Sequence, residues 1–200
     1  MAVPVETEVR EVLHPAREAK IERALMHAWQ DWQDNPTRGM YGRWPRTRAN
    51  MVFERIADRL QEEFMDDPNV QFHFQDETIK VAFDDRVLAR FKKADENGFG
   101  INIPTQAVIT FCEAQADLPG LPGLQKIEIL YHLDDLQTHI AGITVQARDG
   151  DMRLWAYSLG VLDSAQQPLP FLPAPQTPSY DVSDLVYPKA PSRADEDSKE

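Results

Sequence analysis

The stretch VQFHFQDETIKVAFDDRVLARFK, residues 70–92, decides the fold. Val70, Phe72 and Phe74 alternate with Gln71, His73 and Gln75. Ile79, Val81 and Phe83 alternate with Thr78, Lys80 and Ala82, and Val87, Ala89 and Phe91 follow the same rule. A period of two places alternate side chains on opposite faces of a strand. The pairs Asp76-Glu77 and Asp84-Asp85 fill two-residue gaps between the runs, so the stretch reads as a three-stranded antiparallel meander. Its gaps lack the glycine that such turns usually carry.

On the N-terminal side the period lengthens to that of a helix. His14-Pro15 breaks the chain, and proline suits a first helical turn. Ile21, Leu25, Ala28, Trp29 and Trp32 then recur on one face until Asn35-Pro36. A second helix carries Val52, Phe53, Ile56, Leu60 and Phe64, with Thr47 as its candidate cap, and closes at Asp66-Asp67-Pro68. On the C-terminal side, residues 94–103 read as a loop. Residues 104–114 favour a short helix, although the run AVITF carries strand chemistry as well. Leu118-Pro119-Gly120-Leu121-Pro122-Gly123 is a break. A second meander follows at Ile127 to Leu133, Ala141 to Ala147 and Leu154 to Tyr157, with Asp149-Gly150 as a hairpin turn.

These elements predict an α+β fold: two N-terminal helices packed on an antiparallel sheet of about six strands in two meanders. The domain is expected to span 15–160, with a flexible arm at 1–14 and an acidic, proline-rich, disordered tail at 161–200. Seven of the fifteen prolines lie in 165–200, which has no glycine and ends in RADEDSKE. Such a composition buries too little apolar surface to offset chain entropy. Its island Tyr180 to Tyr187 reads as leftover tail ahead of a docking motif. Strand order, and whether the strands form one sheet or two, is not readable.

Composition narrows the function classes. The net charge of −12 repels nucleic acid and anionic lipid at long range. No apolar run approaches the roughly 18–20 residues that cross a bilayer, and the start MAVPVETEVREVL has no secretory pattern. The single cysteine, Cys112, reads as a small buried apolar residue, and a cytoplasmic protein is expected. The acidity is uneven: residues 36–93 hold eleven basic and ten acidic residues, so the rest of the chain carries −13.

Two basic constellations stand out in that island. Arg38, Arg43, Arg46 and Arg48 fall in a stretch with no acid between residues 35 and 53, and lead into a helix start. Guanidinium forks and unpaired helix N–H groups suit phosphate or carboxylate. Trp44 and Tyr41 lie among them, for core packing or for stacking. Strict alternation would also place His73, Lys80, Arg86, Arg90 and Lys92 on a solvated sheet face, a row that either tracks an anion or simply blocks edge pairing. Pairing with the protein's own carboxylates is the weightier reading of the arginines, and an ordinary solvated sheet face is the weightier reading of the row. Asp134, Asp135, His132 and His139 read as a polar hairpin loop, and Gly98-Phe99-Gly100 is too short of glycine and lysine for a phosphate loop. No metal spacing, nucleophile or general base is recognisable, so no metal or cofactor is expected and no enzyme class is assigned.

The stretches GRWPRTRANMVFERI, FDDRVLARFKKADENGFGINIPTQAV and VQARDGDMRLWAYSL resemble an uncharacterised family of bacterial proteins over roughly residues 40–158. The resemblance implies a partner of helix–turn–helix regulators with a zinc-peptidase-like domain, in toxin–antitoxin or phage-defence gene pairs. It implies no catalytic residues. The leading expectation is an interaction protein with a protein partner. A toxin or enzyme acting on nucleic acid or nucleotides ranks behind it, and a structural component of a mobile element third.

Overall fold

The computed structural model describes residues 3–41, 44–75, 78–101, 105–116, 118 and 120–160. The chain divides into two units, Met1–Gln166 and Gln167–Glu200, and all that follows concerns the first. The expected tail at 161–200 lies outside the described residues.

The elements run α1 (Glu6–Leu13), α2 (Pro15–Asp34), α3 (Arg38–Tyr41), α4 (Pro45–Phe64), β1 (Val70–Gln75), β2 (Thr78–Phe83), β3 (Val87–Lys93), α5 (Gln106–Cys112), β4 (Gln125–Leu133), β5 (Ile140–Asp149) and β6 (Met152–Leu159). The six strands form one sheet in sequence order. Neighbours are antiparallel except β3 and β4, which run parallel with Val87 opposite Gln125 and Phe91 opposite Ile129. The two expected meanders are therefore halves of one mixed sheet. A parallel join cannot be made by a tight turn, and the long 94–124 connection with α5 supplies the crossover.

The helices cover one sheet face. Ile21, Leu25, Trp29 and Trp32 of α2 and Val52, Ile56, Leu60 and Phe64 of α4 meet Val81, Phe83, Ala89, Phe91, Ile127, Ile129, Ile143 and Val145 in one core. Phe64 packs edge-on against Phe83, with centroids 5.5 Å apart at 74°. Pro15 begins α2 as the sequence suggests. Helix α4 starts at Pro45, two residues before the expected Thr47 cap, behind an extended Trp44 that makes no side-chain cap bond. Asp84 and Asp85 both adopt positive φ, 53° and 50°, so two aspartates take the turn role expected of glycine. Asp76-Glu77 lies outside the described residues.

Three expectations need correction. The segment assigned to a flexible arm contains α1, whose Val9, Val12 and Leu13 are buried at i, i+3 and i+4. Its approach is pinned by Val5 N–H donating to Gln125 Oε1 at 2.8 Å and Trp155 Nε1 donating to the Pro4 carbonyl at 2.7 Å. Phe74, expected in the core, is 63% exposed at the end of an edge strand. Finally, the second sheet face is not a solvated face. Phe111 of α5 and Leu118 pack on Ala82 and Leu88, with Leu121 and Leu124 beside them. Farther along, Gly100 lies so close that a Cβ there would stand 3.1 Å from Glu128 Oε1 and 3.3 Å from Leu130 Cδ2.

One side chain ties four segments together. Arg17 of α2 is buried. It donates from Nε to Asp67 Oδ2 at 3.0 Å, from Nη1 and Nη2 to both oxygens of Asp84 at 2.9 and 2.8 Å, and from Nη1 to the Val12 carbonyl at 2.8 Å. It therefore clamps the end of α1, the α4–β1 turn and the β2–β3 turn to α2. Its hydrogen bonds hold the Asp67 carboxyl below the usual carboxylate range.

Candidate functional site

Strand register aligns the predicted basic row across the whole sheet. His73 faces Lys80, Lys80 faces Arg90, Arg90 faces Glu128, Glu128 faces Gln146, and Gln146 faces Ala156. The centre of that row is a sealed polar network. Arg90 and Glu128 are both buried and form an ion pair, and Gln146 Nε2 donates to the other Glu128 oxygen at 2.9 Å. Arg90 Nη2 also reaches Cys112 Sγ at 3.1 Å, and its guanidinium lies 4.4 Å from the Phe111 ring centroid. Arg148 Nη2 donates to the same sulfur, and its Nε stands 3.6 Å from Glu128 Oε2.

The 94–100 loop closes over this network. Arg153 Nε donates to Gln146 Oε1 at 3.0 Å, and its Nη2 donates to the carbonyls of Asn97 and Gly98 at 3.1 and 2.8 Å. The Phe99 ring lies 5.5 Å from the Arg148 guanidinium and 5.0 Å from that of Arg153. The Gly98-Phe99-Gly100 loop thus turns carbonyls toward a guanidinium. Lys126 Nζ donates to the Thr110 and Ala116 carbonyls at 2.9 and 2.6 Å, and to that of Glu113, so it closes the C-terminal end of α5.

The remaining predicted residues separate. Arg90 belongs to the sealed network. Lys92 is partly buried, 5.5 Å from the Phe53 ring centroid, and burial followed by the nearby Arg90 pushes its pKa down. Arg86 lies outside the row, exposed and 3.9 Å from Glu11 of α1. His73 and Lys80 are partly buried at the β1–β2 end. His73 Nε2 is shielded without a hydrogen-bond partner among the described residues. The row is one register but not one open surface.

The arginine loop gives a different picture. Arg43 lies outside the described residues. Arg38 lies in α3, and Arg46 and Arg48 lie in the first turn of α4, from which Arg48 reaches Gln137 in the loop between β4 and β5. That loop is shaped by Asp134, whose Oδ1 accepts the N–H groups of Thr138 and, at 2.9 Å, His139, while Oδ2 accepts the Thr138 hydroxyl at 2.9 Å. These bonds, the His139 N–H first, draw the Asp134 pKa down to about 2. The shaped loop docks on α2 through the Thr138 carbonyl, which accepts Trp29 Nε1 at 3.0 Å and Gln33 Nε2 at 2.9 Å. Arg38 donates to Gln33 and Arg48 donates to Gln137, so both arginines brace the same junction.

Charge and apolar surface meet there. Lys93 Nζ stands 3.5 Å from the Gln137 oxygen that Arg48 also uses, and its pKa is lowered by burial and then by Arg48. Beneath them Tyr131 is buried, and its pKa is pushed up to about 12 by that burial. Leu136, next to Gln137, is 81% exposed, Met40 of α3 75% and Trp44, ahead of α4, 66%. Met40 and Leu136 were not singled out by sequence reasoning. The available signal was a leucine within the polar run Asp134-Asp135-Leu136-Gln137, since an apolar residue there serves neither turn nor core.

Among the described residues no group of three His, Cys, Asp or Glu side chains is arranged to hold a metal ion, and no helix is long and apolar enough to cross a membrane. No family model, curated protein or solved structure matches the chain.

Proposed function

We propose that this chain acts by binding another protein, and that the junction of α3, α4 and the β4–β5 loop is its contact surface. The carrying observation is the exposure of Leu136 on a loop that internal hydrogen bonds hold in place, and which Arg48 of α4 reaches through Gln137, together with the exposure of Met40 in α3 and Trp44 at the start of α4. Methionine, aromatic and arginine side chains are the types enriched at protein interfaces. A pre-shaped loop loses little freedom on binding. The stretch without acids, residues 35–53, calls for an acidic segment with an apolar anchor on the partner. The family resemblance would make that partner a helix–turn–helix regulator of a toxin–antitoxin or defence-type pair.

The reading as a toxin or enzyme acting on nucleic acid draws less support. Of its strand-face cations, Arg90 is committed to Glu128 and Cys112 inside the fold, and Arg86 lies outside the row, 3.9 Å from Glu11.

Co-expression with such a regulator, followed by calorimetric titration of the purified pair, tests the proposal. Leu136→Glu and Met40→Glu should each weaken binding by about 2 kcal/mol, roughly thirtyfold, with unchanged thermal stability. Absence of association at low salt, or wild-type affinity in both variants, would remove it.

A further inference from the structure

We propose that the edge of β1 pairs with the β1 edge of a second copy of this chain, antiparallel and about a two-fold axis, extending the sheet across the dimer. This inference is independent of the contact surface above.

Strand β1, VQFHFQ, is an outer strand whose only ladder among the described residues is with β2. An outer strand exposes a row of unpaired backbone groups, and natural edges are commonly guarded by charge, proline or a bulge. Strand β1 has no Lys, Arg, Asp, Glu or Pro, and its register with β2 is unbroken. The opposite edge is guarded: β6 carries Arg153, and a register shift interrupts its pairing at Ala147/Arg148.

The side chains of β1 favour its own copy as the occupant. Val70, Phe72 and Phe74 share the helix-side face, but helix cover fails toward the end of the strand. Val70 is buried, Phe72 partly buried and Phe74 63% exposed. In an antiparallel pair, residues opposite each other lie on the same face. A two-fold pairing centred on Phe72 sets Phe72 against its own counterpart and Phe74 against the second copy's Val70. Gln71 then faces the other copy's His73 on the far side. That arrangement covers Phe74, keeps the helices of both copies on one side, and closes without leaving another β1 edge to propagate.

The strand is short, so the dimer is weak and reversible. Each copy carries −12, so screening of their repulsion strengthens it as salt rises.

The test is sedimentation velocity of the full chain over a dilution series from millimolar to low micromolar, at low and high salt. Hydrogen exchange of the β1 amides is followed in parallel. The wild type should show a concentration-dependent monomer–dimer equilibrium, tighter at high salt, with the β1 amides that do not donate to β2 protected only where dimer is present. Phe74→Lys should be monomeric throughout with an unchanged melting curve, and Phe74→Ala should weaken the dimer. A wild type that stays monomeric at every concentration would overturn the inference. So would a dimer that Phe74→Lys leaves intact, open-ended oligomers, or protection in the dilute monomer of the β1 amides that do not donate to β2.

Discussion

Arg90 and Glu128 stand opposite each other on the two strands that join the halves of the sheet in parallel, and they pair beneath a closed cover. Their side chains are 6% and 2% exposed. Neither lies in the apolar core, and neither meets solvent freely. The pair lies in the same parallel register as the core residues Ala89 and Phe91, opposite Ile127 and Ile129.

Removing one member should therefore cost far more than a surface pair would. Glu128→Ala leaves Arg90 and Arg148 facing each other without their carboxylate, and a loss of about 3–5 kcal/mol in urea denaturation is expected. Replacing both partners, as Arg90→Met with Glu128→Leu, should recover a large part of that loss. Equal destabilisation in the single and double variants would contradict a coupled pair.

Arg17 sets an acid limit on stability. Its bonds hold the Asp67 carboxyl below its unfolded value of about 3.9. A depressed folded pKa contributes stability that is complete above the unfolded value and is lost as pH falls through the folded one. Wild-type stability should decline below about pH 4. Arg17→Met should lower stability near neutrality by about 3 kcal/mol and flatten that acid limb. Chemical denaturation at a series of pH values reads both effects.

Asp134 governs the loop that carries Leu136. Its pKa of about 2 has the same sign as that of Asp67, so the loop should stay shaped down to about pH 4 and release as pH falls toward 2. Asp134→Ala removes the acceptor for the Thr138 and His139 amides, and both should exchange faster with solvent at neutral pH. Partner affinity should fall with them. Unaltered exchange at those two amides would show that the loop does not depend on this carboxylate.

The sequence made much of this fold legible because local period carried it. Ile21 to Trp32 and Val52 to Phe64 mark their helices by spacing alone, and 70–92 marks three strands. The misreadings came from contacts distant in the chain. Arg90 and Lys92 alternate as solvated residues should, yet Gly100, Phe111 and Leu118 fold back over that sheet face, and no periodicity within β3 announces that cover. Helix α1 was obscured because three apolar residues among acids make too short a pattern until Gln125 and Trp155 anchor its approach. The arginine loop was found by composition. Its junction with the β4–β5 loop, through Gln33, Thr138 and Gln137, joins residues about a hundred positions apart.

The proposed contact surface is tested most directly by hydrogen exchange of the full chain with and without the co-expressed helix–turn–helix regulator. The account predicts new protection concentrated in residues 36–48 and 134–139, and loss of that protection in Leu136→Glu. Protection confined to other segments, or undiminished in that variant, would contradict it.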